Sequence, residues 1–148
     1  MSETPPVTVV VLNFNGREHL EPCFASLRAL DYPSDRVRLH LVDNGSTDGS
    51  AAFMRERFAG TQVTTHPTNL GFSAAINRAV EVAETPYVAF LNNDTRVLPD
   101  WLSELVGPVA RGEAAAAASH IVDWDGRHDL YQGGGCNFHG IGFQAGLH

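Results

Sequence analysis

A chain of 148 residues with 43% hydrophobic composition is the size of one domain and has enough apolar side chains to close a single core, which excludes collagen-like and disordered readings. Its cations are ten arginines against seventeen carboxylates, for a formal charge of −7, and no basic run occurs, so a surface that neutralises many phosphates is not expected and nucleic acid is not an expected partner. The sequence contains no lysine, which removes P-loop nucleotidases, Schiff-base enzymes and PLP enzymes, each of which needs that side chain.

Residues 1–6 are polar and proline-containing and read as a disordered N-terminus ahead of a domain over 7–148. Val7 to Asn13 is a β-branched run ending in Asn-Phe-Asn-Gly, the pattern of a strand buried on both faces and then a turn. From Glu18 the apolar residues Leu20, Cys23, Phe24, Leu27 and Leu30 recur at helical spacing, which predicts a helix to about Ala29, and Pro22 is tolerable because it sits near the first turn. Val37 to Val42 is a second strand ending at Asp43; Ser46 or Thr47 is placed to cap a helix that buries Phe53, Met54 and Phe58. Gln62 to Thr65 is a weaker strand. After Asn69-Leu70-Gly71, residues Phe72, Ala75, Ile76, Ala79, Val80 and Ala83 share one helical face, the best amphipathic signal in the chain. Tyr87 to Leu91 reads as another buried strand, broken by Asn92-Asn93-Asp94. Pro99 suits the first position of a helix that turns Leu102, Leu105, Val106 and Val109 inward, and Ala114 to Val122 is read as a fifth strand in preference to a helix.

Cys23 and Cys136 lie far apart, Cys23 inside a helical pattern, so no disulfide framework is expected and the cytoplasm is the compartment that fits. No stretch reaches about 18 apolar residues, so a soluble protein is expected, a reading that leaves room for peripheral association at the inner face of the membrane. The sequons at Asn44 and Asn93 have no secretory signal to bring them to a glycosylation machinery.

Helices alternating with buried strands imply an α/β domain, a parallel sheet covered on both faces with right-handed crossovers. In such sheets ligands bind beyond the carboxyl ends of the strands, where Asn13 to Gly16, Asp43 to Ser46 and Asn92 to Asp94 fall. Asp43 can accept hydrogen bonds from a base or ribose held over its strand end, although such a residue also caps helices and makes Asx turns. An EF-hand beginning at Asn44 fails because its twelfth position is Arg55, where a bidentate carboxylate is required. Asp94 stands at a strand end beside two amides and the Thr95 hydroxyl. One such carboxylate suffices for a hard cation that bridges a diphosphate, because phosphate oxygens and waters complete the shell; a plain polar turn would carry the same residues. Gly71 lies at a helix N-terminus, where free amides favour a phosphate or sugar hydroxyl, and Asn77 stands in the second turn of that helix, where an amide reaches a ligand or simply faces water.

Three further matches carry no function. Gly140-Ile-Gly142-Phe-Gln-Ala145 fits the dinucleotide fingerprint by letters, but no long strand precedes it and no helix follows. Cys136 and His139 lack a second pair at zinc-site spacing, and Asp123-Trp-Asp125-Gly126 reads as a turn. The glycine-rich stretch from Gly133 to Gly146 ends without a closing element, so the domain is expected to be cut short at its C-terminus.

Taken in order, Val-Val-Leu-Asn-Phe-Asn-Gly (10–16), Leu-Val-Asp-Asn-Gly-Ser-Thr-Asp-Gly-Ser (41–50), Asn-Leu-Gly-Phe-Ser-Ala-Ala-Ile-Asn (69–77), Phe-Leu-Asn-Asn-Asp-Thr (90–95) and Pro-Asp-Trp-Leu (99–102) resemble family-2 glycosyltransferases of the GT-A fold. The Leu-Asn-Asn-Asp version is most similar to the rhamnosyltransferase-type branch. The resemblance implies a Rossmann-like, mainly parallel sheet flanked by helices and a nucleotide-diphosphate sugar donor (dTDP-, UDP- or GDP-linked). It places Asn13, Asn15, Asp43 and Asn44 near base and ribose, and Gly71 and Asn77 on the diphosphate side. Asn92-Asn93-Asp94 falls on the family's Asp-x-Asp motif, with Asp94 as the ligand of Mg2+ or Mn2+ and Asn92 in place of the first aspartate, which makes the site less negative. It also implies inversion at the anomeric carbon, with a carboxylate base from a downstream motif that Asp123, Asp125 and Asp129 come too early to match, and a glycan or lipid-linked acceptor of cell-envelope synthesis. Two other readings compete: a truncated or degenerate nucleotide-sugar-binding module without turnover, and a different α/β nucleotidyl or sugar-phosphate enzyme.

Overall fold

A computed structural model describes residues 4–131, 134–136 and 142–144. The chain divides into two compact units, Met1–Ser103 and Glu104–His148. In the first, β1 (Val7–Asn13), α1 (Arg17–Arg28), β2 (Val37–Asp43), α2 (Ser50–Arg57), β3 (Gln62–Thr65), α3 (Phe72–Glu81) and β4 (Tyr87–Asn92) alternate along the chain. The four strands form one parallel sheet in the order β3-β2-β1-β4. Because β1 is central, its side chains are buried on both faces, as its unbroken apolar run requires.

Alternation along β1 divides the core in two. Val10 and Leu12 face α3 and pack with Val42 and Val88 against Ala75, Ile76 and Ala79. Val7, Val9 and Val11 point the other way, toward the side where Leu20, Cys23, Phe24 and Leu27 of α1 and Met54 of α2 are buried. The α1 and α2 pair is joined by Phe24 against Phe58, ring centroids 5.6 Å apart, with Phe53 edge-on to Phe58 at 6.2 Å. Phe53 itself is only half-buried; the Arg17 guanidinium lies over its ring. Tyr32 donates to the Pro5 carbonyl at 2.6 Å, which ties the entry to β1.

Several expectations are corrected. The second helix is not capped by Ser46 or Thr47: it begins at Ser50 after Gly49 in the left-handed region (φ 83°), with Asp48 accepting from the Ser50 N–H and hydroxyl. The Ser46 hydroxyl is committed instead to Asp43, Asn13 and Asn15. The strand Tyr87–Leu91, expected to be buried, has only Ala89 buried, and Phe90 is 45% exposed, because β4 takes the edge of the sheet while α3 sits over β1 and β2. The apolar face of α3 is likewise wider than its seat. Ala75 and Ala79 bring the helix close to Val10 and Val42, leaving Phe72 and Val80 to project from its flanks, 60% and 46% exposed. The helix predicted from Pro99 starts two residues later, as α4 (Trp101–Ala110), with Leu102 and Val106 buried as expected and the Trp101 N–H donating to the Leu98 carbonyl.

In the second unit the fifth strand shrinks to β5 (Ile121–Val122), antiparallel to β6 (Asp129–Tyr131) and not part of the parallel sheet. The alanine run before it forms no regular structure, for it has no β-branched side chains to pack on a pleated surface. The turn at Asp123–Gly126 is present: the Gly126 N–H donates to the Asp123 carbonyl at 3.0 Å and the Asp123 carboxylate receives the Arg127 N–H at 2.8 Å. Gly142–Gln144 is a short strand, β8, paired with β7 (Gly134–Cys136), in place of the helix a dinucleotide fingerprint needs; His139 lies outside the described residues.

On the α3 side of β2, His40 is buried, its Nε2 2.9 Å from the Thr64 hydroxyl, beside a cavity of about 340 Å³ lined also by Gln62, His66 and Arg78. Burial pushes the His40 imidazolium below its ordinary pKa of 6.5. The unfolded chain therefore takes up a proton below that value before the native state does, so stability present above it is lost as the pH falls. Denaturant titrations between pH 7 and pH 5 are expected to show stability falling toward acid at up to about 1.4 kcal/mol per pH unit from this group, and His40→Gln to flatten that slope.

Candidate functional site

The parallel register sets Asn13 opposite Asp43 and Leu12 opposite Asn92, so three strand ends finish at one level. Their polar residues meet. Asn13, 1% exposed, donates from Nδ2 to Asp43 Oδ1 at 2.9 Å and accepts at Oδ1 from Asn93 Nδ2 at 2.6 Å. Asp43 is buried as well, and Ser46 Oγ donates to its Oδ1 at 2.5 Å. The backbone continues the staple: Asn44 N–H donates to the Asn13 carbonyl, and His66 N–H to the Asp43 carbonyl, each at 2.8 Å.

Asn15 follows in the left-handed region (φ 50°), a conformation that asparagine tolerates better than other non-glycine residues, and its Oδ1 accepts the Thr47 N–H at 2.8 Å. Its own N–H goes to Ser46 Oγ, and the Arg17 N–H goes to Asp48 Oδ2, both at 2.9 Å. Burial pushes the Asp48 carboxyl up, but bonds from the Ser50 hydroxyl and from the Arg17 and Ser50 N–H groups outweigh it and hold the group below its usual range. Gly16 lies so close to this crossing that a Cβ there would stand 2.2 Å from Asn93 Nδ2.

Asn44, 2% exposed, spends its amide on the loop before α3: Nδ2 donates to Asn69 Oδ1 at 2.9 Å and Oδ1 accepts the Leu70 N–H at 3.0 Å. Gly71 ends that loop at φ 79°, and its N–H donates to Asn69 Oδ1. Asn77 is exposed on α3. Asn92 is exposed, its carbonyl receiving the Thr95 hydroxyl at 2.7 Å. Asp94 is exposed too, and its charge reaches Cys23, whose thiol burial and then Asp94 push up to about 12.

Thus Asn13, Asn15, Asp43, Asn44 and Asn93 form one hydrogen-bonded cluster with the loops they hold, while Asn77 and Asp94 stand at the surface. Among the described residues no three side chains of the histidine, cysteine or carboxylate type gather into a metal cluster. The feature that suits a cation is the exposed carboxylate of Asp94, since a hard ion whose other ligands are diphosphate oxygens and waters needs only one such group from the protein. Sequence reasoning missed Ser46, Asp48 and Phe14. In the sequence Ser46 reads as a helix cap and Asp48 only as a position of the EF-hand loop that fails at Arg55, since a hydroxyl or carboxylate in a Gly-Ser-Thr-Asp-Gly segment serves turns first. Phe14, 49% exposed between Asn13 and Asn15, falls in the Asn-Phe-Asn-Gly turn, where no local pattern marks an exposed ring. Asp123 and Asp129 are engaged with His128 and His120.

The glycosyl transferase family 2 model matches residues 8–143. The chain belongs to that family. A putative glycosyltransferase, EpsH, of Bacillus subtilis is 27% identical over 106 residues, 70% of this chain and 30% of that relative. An N-acetylglucosaminyl-diphospho-decaprenol L-rhamnosyltransferase of Mycobacterium tuberculosis is 29% identical over 136 residues, 83% of this chain and 43% of its own length. Among solved structures, the Pyrobaculum calidifontis mannosyltransferase PcManGT, in complex with GDP-Man and Mn2+, superposes with a TM-score of 0.65 at 28% identity, covering 72% of this chain and 32% of the mannosyltransferase. S. aureus TarS in complex with UDP-GlcNAc, at 22% identity and a TM-score of 0.65, shares the fold. The fold is therefore the GT-A arrangement, and the chain spans 30% to 43% of the length of these two curated relatives.

The glycines of the site separate two costs. Gly45 has φ 86°, and a Cβ there would lie 2.6 Å from the Thr68 carbonyl carbon, whereas Gly71, at φ 79°, has open space around it. Gly71 has ψ 168°, a backbone region that essentially only glycine adopts, so Gly71→Ala is expected to cost about 1–3 kcal/mol of stability from strain alone. Gly45→Ala adds a backbone collision and is expected to cost about 2–4 kcal/mol, read as the difference in denaturation midpoints.

Proposed function

We propose that this protein transfers a glycosyl group, with inversion, from a nucleotide-diphosphate sugar to an acceptor hydroxyl in cell-envelope glycan synthesis. The observation that carries the reading is the junction of three strand ends through Asn13, which sets the acceptor-only carboxylate of Asp43 beside the loop that bears Asp94. GDP-Man with Mn2+ in the mannosyltransferase complex supports the donor class and a divalent ion. The decaprenol-linked rhamnosyltransferase supports a lipid-linked acceptor and a rhamnose-type sugar. Among the described residues no helix is long and apolar enough to cross a membrane. In this reading such an acceptor is met by peripheral association at the inner face.

In this reading Asp43 accepts the ring N–H of the base, the exposed ring of Phe14 offers a stacking face for it, and Asn15 borders the ribose. The loop from Asn69 to Gly71, held by Asn44, and Asn77 beyond it border the diphosphate at the N-terminus of α3. Asp94 would hold Mg2+ or Mn2+, with Asn92 and Asn93 framing its loop; the ion supplies charge stabilisation to the departing diphosphate. The protein's part is to hold donor and acceptor in line, so that the hydroxyl attacks opposite the leaving group with a carboxylate base removing its proton. No described carboxylate is assigned that last task.

Calorimetric titration with UDP-, dTDP- and GDP-sugars is expected to show binding to one nucleotide class that strengthens with Mn2+; absence of binding to all three overturns the reading. Asp94→Asn is expected to lower the Mn2+-dependent part of the affinity at least tenfold without moving the melting temperature, because an exposed loop carboxylate contributes little to the core. Transfer to an acceptor, with the product's anomeric configuration read by NMR, separates turnover with inversion from a module that only holds the nucleotide.

A further inference from the structure

The Ser46 hydroxyl has one proton and two lone pairs, and the structure uses all three. It donates to Asp43 Oδ1 at 2.5 Å, accepts from Asn13 Nδ2 at 3.1 Å and accepts from the Asn15 N–H at 2.9 Å. A hydroxyl so committed has nothing left for a ligand. Its effect falls on Asp43, whose Oδ1 receives two donors, Ser46 and Asn13, while among the described residues no hydrogen bond is formed by Oδ2.

We propose that Ser46 is a positioning residue for nucleobase choice: by holding Oδ1 it fixes the Asp43 carboxylate plane and leaves Oδ2 as a single acceptor of set direction. This rests on the reading that Asp43 meets the base. A lone, oriented acceptor favours bases that present a ring N–H, the imide of uracil or thymine and the lactam of guanine. It disfavours cytosine and adenine, which present a ring-nitrogen lone pair at the corresponding position. Without Ser46, Asp43 keeps its charge and its bond from Asn13 but gains freedom about its terminal torsion, so either oxygen, or a water bound to it, can face the base. Discrimination then falls although the carboxylate remains. The Asn15 N–H also loses its acceptor, which accounts for any general loosening of the β1–α1 loop and has to be separated from the effect on choice.

The test is a ratio. Dissociation constants of the protein for UDP and CDP, and for GDP and ADP, are measured by calorimetry with Mn2+ present, for the wild type and for Ser46→Ala, Ser46→Cys and Ser46→Thr. The wild type is expected to prefer UDP to CDP, or GDP to ADP, by about 10- to 100-fold, the range for a hydrogen bond to a charged group. Ser46→Ala, and Ser46→Cys as the variant closest in size, are expected to bring the ratio to about threefold or less, and Ser46→Thr, which keeps the hydroxyl, to retain it. If both nucleotides weaken in parallel with the melting temperature and the ratio is unchanged, Ser46 only supports the loop and the proposal is overturned while the nucleotide reading stands. A wild type that binds none of the four, or all four alike, overturns the assignment of Asp43 to the base and this proposal with it.

Discussion

The carboxylate of Asp43 can only accept hydrogen bonds, and that one-sidedness orders everything around it. Asn13 must turn its NH2 toward Asp43, which turns its carbonyl oxygen toward β4; Asn93 must then present its own NH2 to that oxygen. The direction of donation is thus set along the row of strand ends by one charged group, and no flip of either amide leaves the chain intact. Because Asn13 and Asp43 are buried, a broken link would strand a polar group away from water at about 1–3 kcal/mol.

The sheet makes this junction possible through register. Parallel strands that finish level bring Asn13, Asp43 and Asn92 to one edge, and the β-branched run of β1, covered on both faces, keeps that edge from shifting. The turns add what the strands cannot. Gly45 allows the backbone of the β2–α2 loop to touch that of Thr68 and Asn69, and Asn44 bonds the same loop from inside, so the approach to α3 is tied to the end of β2. Asp94 and Asn77 stand outside this hydrogen-bonded part, exposed at the surface.

Much of this was legible in the sequence, for unequal reasons. The strands β1 to β3 and the helices over them follow from apolar runs and periodicity, and the convergence of three polar turns follows from strand order in parallel sheets. What escaped depends on partners that no local pattern specifies. Ser46 looks like a helix cap until Asp43, Asn13 and Asn15 are seen to claim its hydroxyl. Phe90 and Phe72 look like core because hydrophobicity says what can be buried and not what lies opposite; α3 rests on two alanines, too narrow a seat to cover either ring. The alanine run before β5 carried a pattern compatible with two states and takes neither. The candidate site residues come from motif and strand position, but the division between those that hold the frame, such as Asn44, and those that face outward, such as Asp94, required the hydrogen bonds.

The buried thiol of Cys23 has a use outside the chemistry of the site. Held on the buried face of α1, and with its ionisation pushed up to about 12, it is closed to alkylating reagents while the helix stays seated. Labelling at that sulfur therefore counts the moments when α1 lifts from the sheet, which makes the protein its own clock for local opening.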